Sequence, residues 1–122
     1  MKTILIVDDN LVMRNIVRNA FQQLKMPCKY LEAEDGKKAF QLLETNKVDL
    51  VLLDWNMPEM DGIDFLKKVR AIPEFKDLPI VMVTSEAAKY MVIEALQCGA
   101  TNYIVKPFKE NIFIEKLSEI NF

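Results

Sequence analysis

The chain has 122 residues, 51% hydrophobic and 28% charged, which suits one ordinary folded domain and excludes a disordered tract or a second domain. Sixteen Lys and Arg against eighteen Asp and Glu leave a net charge of −2, so no general basic footprint for nucleic acid is present. No apolar run reaches membrane-spanning length, and histidine is absent, which removes it as ligand, base or phosphoryl carrier within the chain.

In chain order, short β-branched runs alternate with longer amphipathic stretches. The first run, Ile4-Leu5-Ile6-Val7, reaches Asp8-Asp9 too soon for a signal peptide, and a cytoplasmic location is expected. Residues 12–25 follow at helical spacing, with Val12, Ile16, Ala20, Phe21 and Leu24 as the apolar face. The spacing predicts a strand over 28–31 and a helix over 37–45 with Ala39, Phe40, Leu42 and Leu43. Leu50-Val51-Leu52-Leu53 reads as a strand buried on both faces, followed by a helix over 63–71 carrying Phe65, Leu66 and Val69. Ile80-Val81-Met82-Val83 is a further buried strand, before a helix over 88–98 with Met91, Ala95 and Leu96. A strand over 102–105 and a helix over 110–120 with Phe113, Leu117 and Ile120 complete the pattern. The three glycines, Gly36, Gly62 and Gly99, punctuate helix borders. Cys28 and Cys98 are expected far apart, as free thiols of a reducing compartment.

Five strands alternating with five helices imply a flavodoxin-like α/β fold, (βα)5, with a doubly wound five-stranded parallel sheet of order 2-1-3-4-5. In such sheets ligands bind beyond the carboxyl ends of the strands. Strand 1 ends in Asp8-Asp9, strand 3 in Asp54, strand 4 in Thr84-Ser85 and strand 5 in Lys106-Pro107. Singly, each has an ordinary explanation: Asp9 or Asn10 as a helix cap, Asp54 in a turn, Thr84 as a cap, Lys106 as a solvated lysine. Jointly they place one polar group after another on a single rim. Three carboxylates there repel, at roughly 3 kcal/mol per pair at about 5 Å and an effective dielectric near 20. The cluster should therefore take up protons or recruit a cation, and hard oxygen ligands, few in number, favour Mg2+.

The segments Ile6-Val7-Asp8-Asp9, Leu53 through Gly62 (LDWNMPEMDG), Val83-Thr84-Ser85 and Tyr103 through Phe108 (YIVKPF) resemble a response-regulator receiver domain over the whole chain, 1–122. Asp54-Trp55-Asn56-Met57-Pro58, Met13 through Val17 and Glu32 through Gly36 look like the single-domain chemotaxis regulators of the CheY type. The resemblance implies that Asp54 is the phosphoacceptor, and that Asp9, Asp54 and the carbonyl of Asn56 ligate Mg2+ with help from Asp8. Thr84 and Lys106 would hold phosphoryl oxygens, Lys106-Pro107 would be cis, and Tyr103 would be a switch aromatic that turns inward after Thr84 moves. Asn56 and Glu86 would set the lifetime of the acyl phosphate. The chemistry agrees: a carboxylate is a workable nucleophile, and phosphoryl transfer needs alignment and charge neutralisation above all.

With no histidine in the chain, the resemblance implies a separate sensor histidine kinase as phosphoryl donor. An accessory phosphatase joins the partner list. Since the sequence ends at Phe122, the expected output is binding by a monomer to a flagellar motor switch protein, through Ala87, Lys89, Val92, Tyr103, Val105, Lys109 and Lys116. Beyond its own labelling and autodephosphorylation, no enzyme activity is expected. A phosphorelay shuttle or a non-motility regulator shares the same chemistry. An aspartyl phosphohydrolase would need an Asp-x-Asp that Asp8-Asp9-Asn10 lacks, and a flavin carrier would not set two acids at its phosphate loop.

Overall fold

Ile4–Val7, Leu50–Leu53 and Ile80–Val83 are buried along their full length, which only a sheet covered by helices on both faces allows. The computed structural model, which describes residues 1–122, realises this arrangement. Its elements are β1 (Lys2–Val7), α1 (Leu11–Gln22), β2 (Cys28–Ala33), α2 (Gly36–Thr45), β3 (Leu50–Leu53), α3 (Gly62–Arg70), β4 (Ile80–Thr84), α4 (Lys89–Gln97), β5 (Asn102–Val105) and α5 (Glu110–Ser118). A short 3-10 turn, Pro73–Phe75, precedes β4. All pairings are parallel and the order is β2-β1-β3-β4-β5, as the alternation predicts.

Alternate residues of each strand feed two cores, because strand side chains alternate between faces. Leu5, Val7, Val51, Leu53 and Met82 pack with Ala39, Leu43, Phe65, Leu66, Val69 and Ala95 of α2, α3 and α4. Ile4, Ile6, Leu50, Leu52, Val81 and Val83 pack with Val17, Ala20, Phe21, Phe113 and Leu117 of α1 and α5.

Some expectations shift. β2 runs two residues beyond the predicted 28–31, because Glu32 and Ala33 stay in register with Ile6 and Val7. As an edge strand, β2 is only partly covered and need not be apolar throughout. The predicted face of α1 holds at Ala20, Phe21 and Leu24, which meet the core, and fails at Val12 and Ile16. Val17, Ala20 and Phe21 are buried, whereas Val12 is 64% and Ile16 43% exposed. At 100° per residue Val12 points away from the Val17–Ala20–Phe21 stripe that meets the sheet. The helix also stops at Gln22, and Lys25 takes a left-handed φ of 55°. On α4 only Ala95 is buried, and Leu96 stands exposed with Tyr90 and Ile93. Cys28, at the start of an edge strand, and Cys98, at the end of α4, are both free thiols.

Candidate functional site

Parallel strands all deliver their last residues to one rim, so the four polar strand ends meet there. Asp8 follows β1 and is 3% exposed; Asp54 follows β3 and is 8% exposed; Thr84 closes β4, fully buried. Oxygens of the Asp8, Asp9 and Asp54 carboxylates lie within 4.8 Å of one another, with Asp9 the exposed member. Lys106, just past β5, reaches back over the cluster: its Nζ donates to Asp8 Oδ2 at 2.8 Å and lies 3.5 Å from Asp54 Oδ2. Lys106 is thus a largely covered cation paired with acids, not a solvated lysine. Its bond to proline, Lys106-Pro107, is cis, as the resemblance implies.

Local hydrogen bonds aim the acids. The Asp8 Oδ1 accepts the Asn10 N–H at 2.9 Å, and Asn10 caps α1 by accepting the Met13 N–H. Asp54 Oδ1 accepts the Trp55 N–H at 2.8 Å. Thr84 does not cap α4, which begins at Lys89 after Ala88 with no side-chain cap; the Thr84 hydroxyl accepts the Glu86 N–H at 3.3 Å. Gly62, the first residue of α3, donates its N–H to the Trp55 carbonyl at 2.7 Å. A Cβ at residue 62 would run into the carbonyl oxygen of Asp54 itself, so only glycine lets α3 start this close to the acid.

Burial pushes the Asp54 carboxyl above its ordinary value. The Thr84 hydroxyl, the Lys106 ammonium and the Trp55 amide pull it down, and the charge of Asp8 pushes it up. One ammonium faces three carboxylates, so the cluster keeps an excess of negative charge. Its donors are all hard oxygens, which suits a small divalent cation that retains several waters. The mouth of the cluster is an open cavity of about 480 Å³ lined by Asp9, Asn56, Met57, Pro58 and Asp61, roomy enough for such a hydrated ion. A second opening, about 310 Å³, is lined by Met13, Ser85, Lys106 and Pro107.

Asn56, at the mouth of the cluster, bonds to Glu86, its Nδ2 donating to Glu86 Oε1 at 2.5 Å. Glu86 also ties in Tyr103, whose hydroxyl donates to the Glu86 carbonyl at 2.6 Å. Tyr103 is 6% exposed. The resemblance implies that Tyr103 turns inward only after Thr84 moves; in this structure its ring already lies inward, with the Glu86 carbonyl as a part-buried acceptor for its hydroxyl.

The expected partner face is only partly one surface. A shallow groove of about 360 Å³ brings together Tyr103, Val105, Lys109, Lys116, Phe108 and Ile112. Ala87, Lys89 and Val92 belong to α4 and the loop before it, outside this groove; the first two are exposed and Val92 is half-buried. The largest cavity, about 700 Å³, lies at the opposite pole between Asn46, Asp49, Phe75, Leu78 and Phe122, far from the acids.

Two residues near the acids have no role in the sequence reading, Arg14 and Glu32. Arg14 Nη1 donates to the backbone carbonyl of Asp8 at 2.7 Å, and its Nε donates to Glu32 at 2.9 Å. A side chain bonded to a backbone carbonyl leaves no mark in the sequence.

A family model described as response regulator receiver domain matches residues 4–118. The chain is 47% identical over 118 residues to a chemotaxis protein CheY homolog of Campylobacter jejuni, covering 96% of this chain and 90% of that protein. It is 48% identical over 118 residues to the chemotaxis protein CheY1 of Helicobacter pylori, covering 96% and 94% respectively. Among solved structures, the chemotaxis protein CheY4 of Vibrio cholerae matches with a TM-score of 0.88 at 31% identity, over 99% of both chains. No helix is long and apolar enough to cross a membrane.

Proposed function

Because the chain belongs to the response-regulator receiver family, and within it to the chemotaxis CheY type, we propose that it takes a phosphoryl group on Asp54 from a histidine kinase and signals by binding a flagellar motor switch protein. The observation that carries this reading is the buried Asp54 carboxylate, set beside two further acids and 3.5 Å from the Lys106 ammonium. An Asp54 oxygen attacks phosphorus, the P–N bond of the donor phosphohistidine breaks, and the freed imidazole nitrogen recovers a proton from solvent. Lys106 takes one phosphoryl oxygen by exchanging its bond to Asp8, and the Thr84 hydroxyl donates to another. Asp8, Asp9 and Asp54, with the Asn56 carbonyl, are the residues that would hold Mg2+. When bound, the ion supplies the positive charge that the crevice lacks for a phosphoryl group.

Hydrolysis returns the carboxylate at a rate set by Asn56 and Glu86, a reading their mutual hydrogen bond supports. The chain turns over no external substrate and works in the cytoplasm. The output face is the groove around Tyr103, Val105, Lys109 and Lys116, extended by Ala87, Lys89 and Val92 of the α4 region.

Trp55, the only tryptophan, is bonded through its N–H to Asp54 and reports on the site. Mg2+, and then a small acyl-phosphate donor, should each change its fluorescence. Asp54→Asn should abolish the second change, and mass spectrometry should place the added phosphoryl group on Asp54. A label on any other residue would overturn the proposal.

A further inference from the structure

Asp8 is tied to β2 directly through its N–H and, through Arg14 of α1, by its carbonyl. Its own N–H donates to the Ala33 carbonyl at 3.0 Å, continuing the strand ladder by one bond. Its carbonyl has no ladder partner and accepts from Arg14 Nη1 at 2.7 Å instead. Arg14 lies in the first turn and a half of α1, and its side chain, 14% exposed, folds back against the sheet. The same guanidinium donates through Nε to Glu32 at 2.9 Å. Glu32 stands on β2 opposite Ile6, two residues short of Asp8 in register, and its other carboxylate oxygen contacts Arg18.

We infer that Arg14 is a positioning residue for the acid cluster, clamping the Asp8 carbonyl to Glu32 and so fixing the peptide plane that carries Asp9. The peptide unit is planar, so holding the Asp8 carbonyl oxygen sets the N–Cα direction of Asp9 as well. Asp9 is the exposed acid of the three and has the least packing to hold it. The guanidinium fork makes both bonds at once with fixed geometry, which a single ammonium cannot do. Bonds from a charged donor are also the stronger kind. Arg18, one turn further along α1, shares Glu32 but is not bonded to Asp8. The inference rests on the reading of the cluster as a Mg2+ site.

The test titrates Mg2+ alone against Trp55 fluorescence in the full chain and four variants. Arg14→Met should weaken Mg2+ binding about tenfold or more, as loss of a residue that orients metal ligands does. Arg14→Lys, which keeps the charge but loses the fork, should recover only part of that loss. Glu32→Gln should weaken binding in the same direction, and Arg18→Met should leave it close to the parent, well short of the roughly tenfold loss expected of a ligand-orienting residue. Circular dichroism and melting without Mg2+ establish that each variant is folded. Unchanged affinity in folded Arg14→Met overturns the inference. So does full recovery in Arg14→Lys, since charge alone would then suffice. An Arg18→Met loss as large as that of Arg14→Met also overturns it. If Arg14→Met does not fold, the Glu32→Gln affinity decides, and no change there overturns it. A parent chain that does not respond to Mg2+ at all brings down the metal reading together with this one, whereas a responsive parent with unchanged variants brings down this one alone.

Discussion

Burial pushes the Tyr103 phenol up to about 12, and the charges of Glu86 and Asp54 push in the same direction. Its ordinary value is 10.0, so folding favours the protonated hydroxyl that donates to the Glu86 carbonyl. The stability this bond contributes is complete below pH 10 and is lost as pH rises through about 12. In an ultraviolet titration of the three tyrosines, Tyr103 should ionise in the last step, and Tyr103→Phe should remove that step. Loss of an earlier step instead would show that the ring does not rest inward. At this scale the clustering of Asp8, Asp9, Asp54, Thr84 and Lys106 was legible, because each stands at or just past the end of a recognisable strand. The resting position of Tyr103 was not, since it depends on a backbone carbonyl supplied by Glu86, seventeen residues away. Arg14 was hidden for the same reason.

Among the elements, α1 shows where periodicity misleads. Its sequence carries two apolar stripes, and only the one through Val17, Ala20 and Phe21 meets the sheet. Val12→Lys should therefore change stability by less than about 0.5 kcal/mol, while Phe21→Ala, which empties a site 1% exposed, should lose about 3–5 kcal/mol. Urea unfolding of both variants checks the phase, and a large loss at Val12 would refute it. The buried strands β1, β3 and β4 were legible as apolar runs, and the partly covered edge strand β2 was legible only in its first four residues. A half-covered strand need not look hydrophobic, and its length is set by its neighbour's register.

For the whole molecule, alternation of strand and helix pointed to a parallel sheet, and 2-1-3-4-5 is the common order among the few that right-handed crossovers leave. The alternation also fixed the rim on which the chemistry sits. The balance of charge at that rim was only half legible: the repulsion among acids was clear, but not that Lys106 lies across them as an internal counterion. One ammonium does not balance three carboxylates, so a bound cation should stabilise the entire fold. Mg2+ at about a hundred times its Kd should raise the unfolding free energy by about 2.7 kcal/mol, seen as a higher melting temperature. Asp54→Asn, with one charge fewer, should show a smaller rise, and no rise in the parent would contradict a metal site. Asp8 and Asp54 directly follow their strands, and each N–H still bonds to a neighbouring strand, Asp8 to Ala33 and Asp54 to Val7, so the acids are tied to the fold. Residue 62 adds a second tie: a single methyl group there would press on the carbonyl oxygen of Asp54, so the start of α3 and the setting of that acid would fail together.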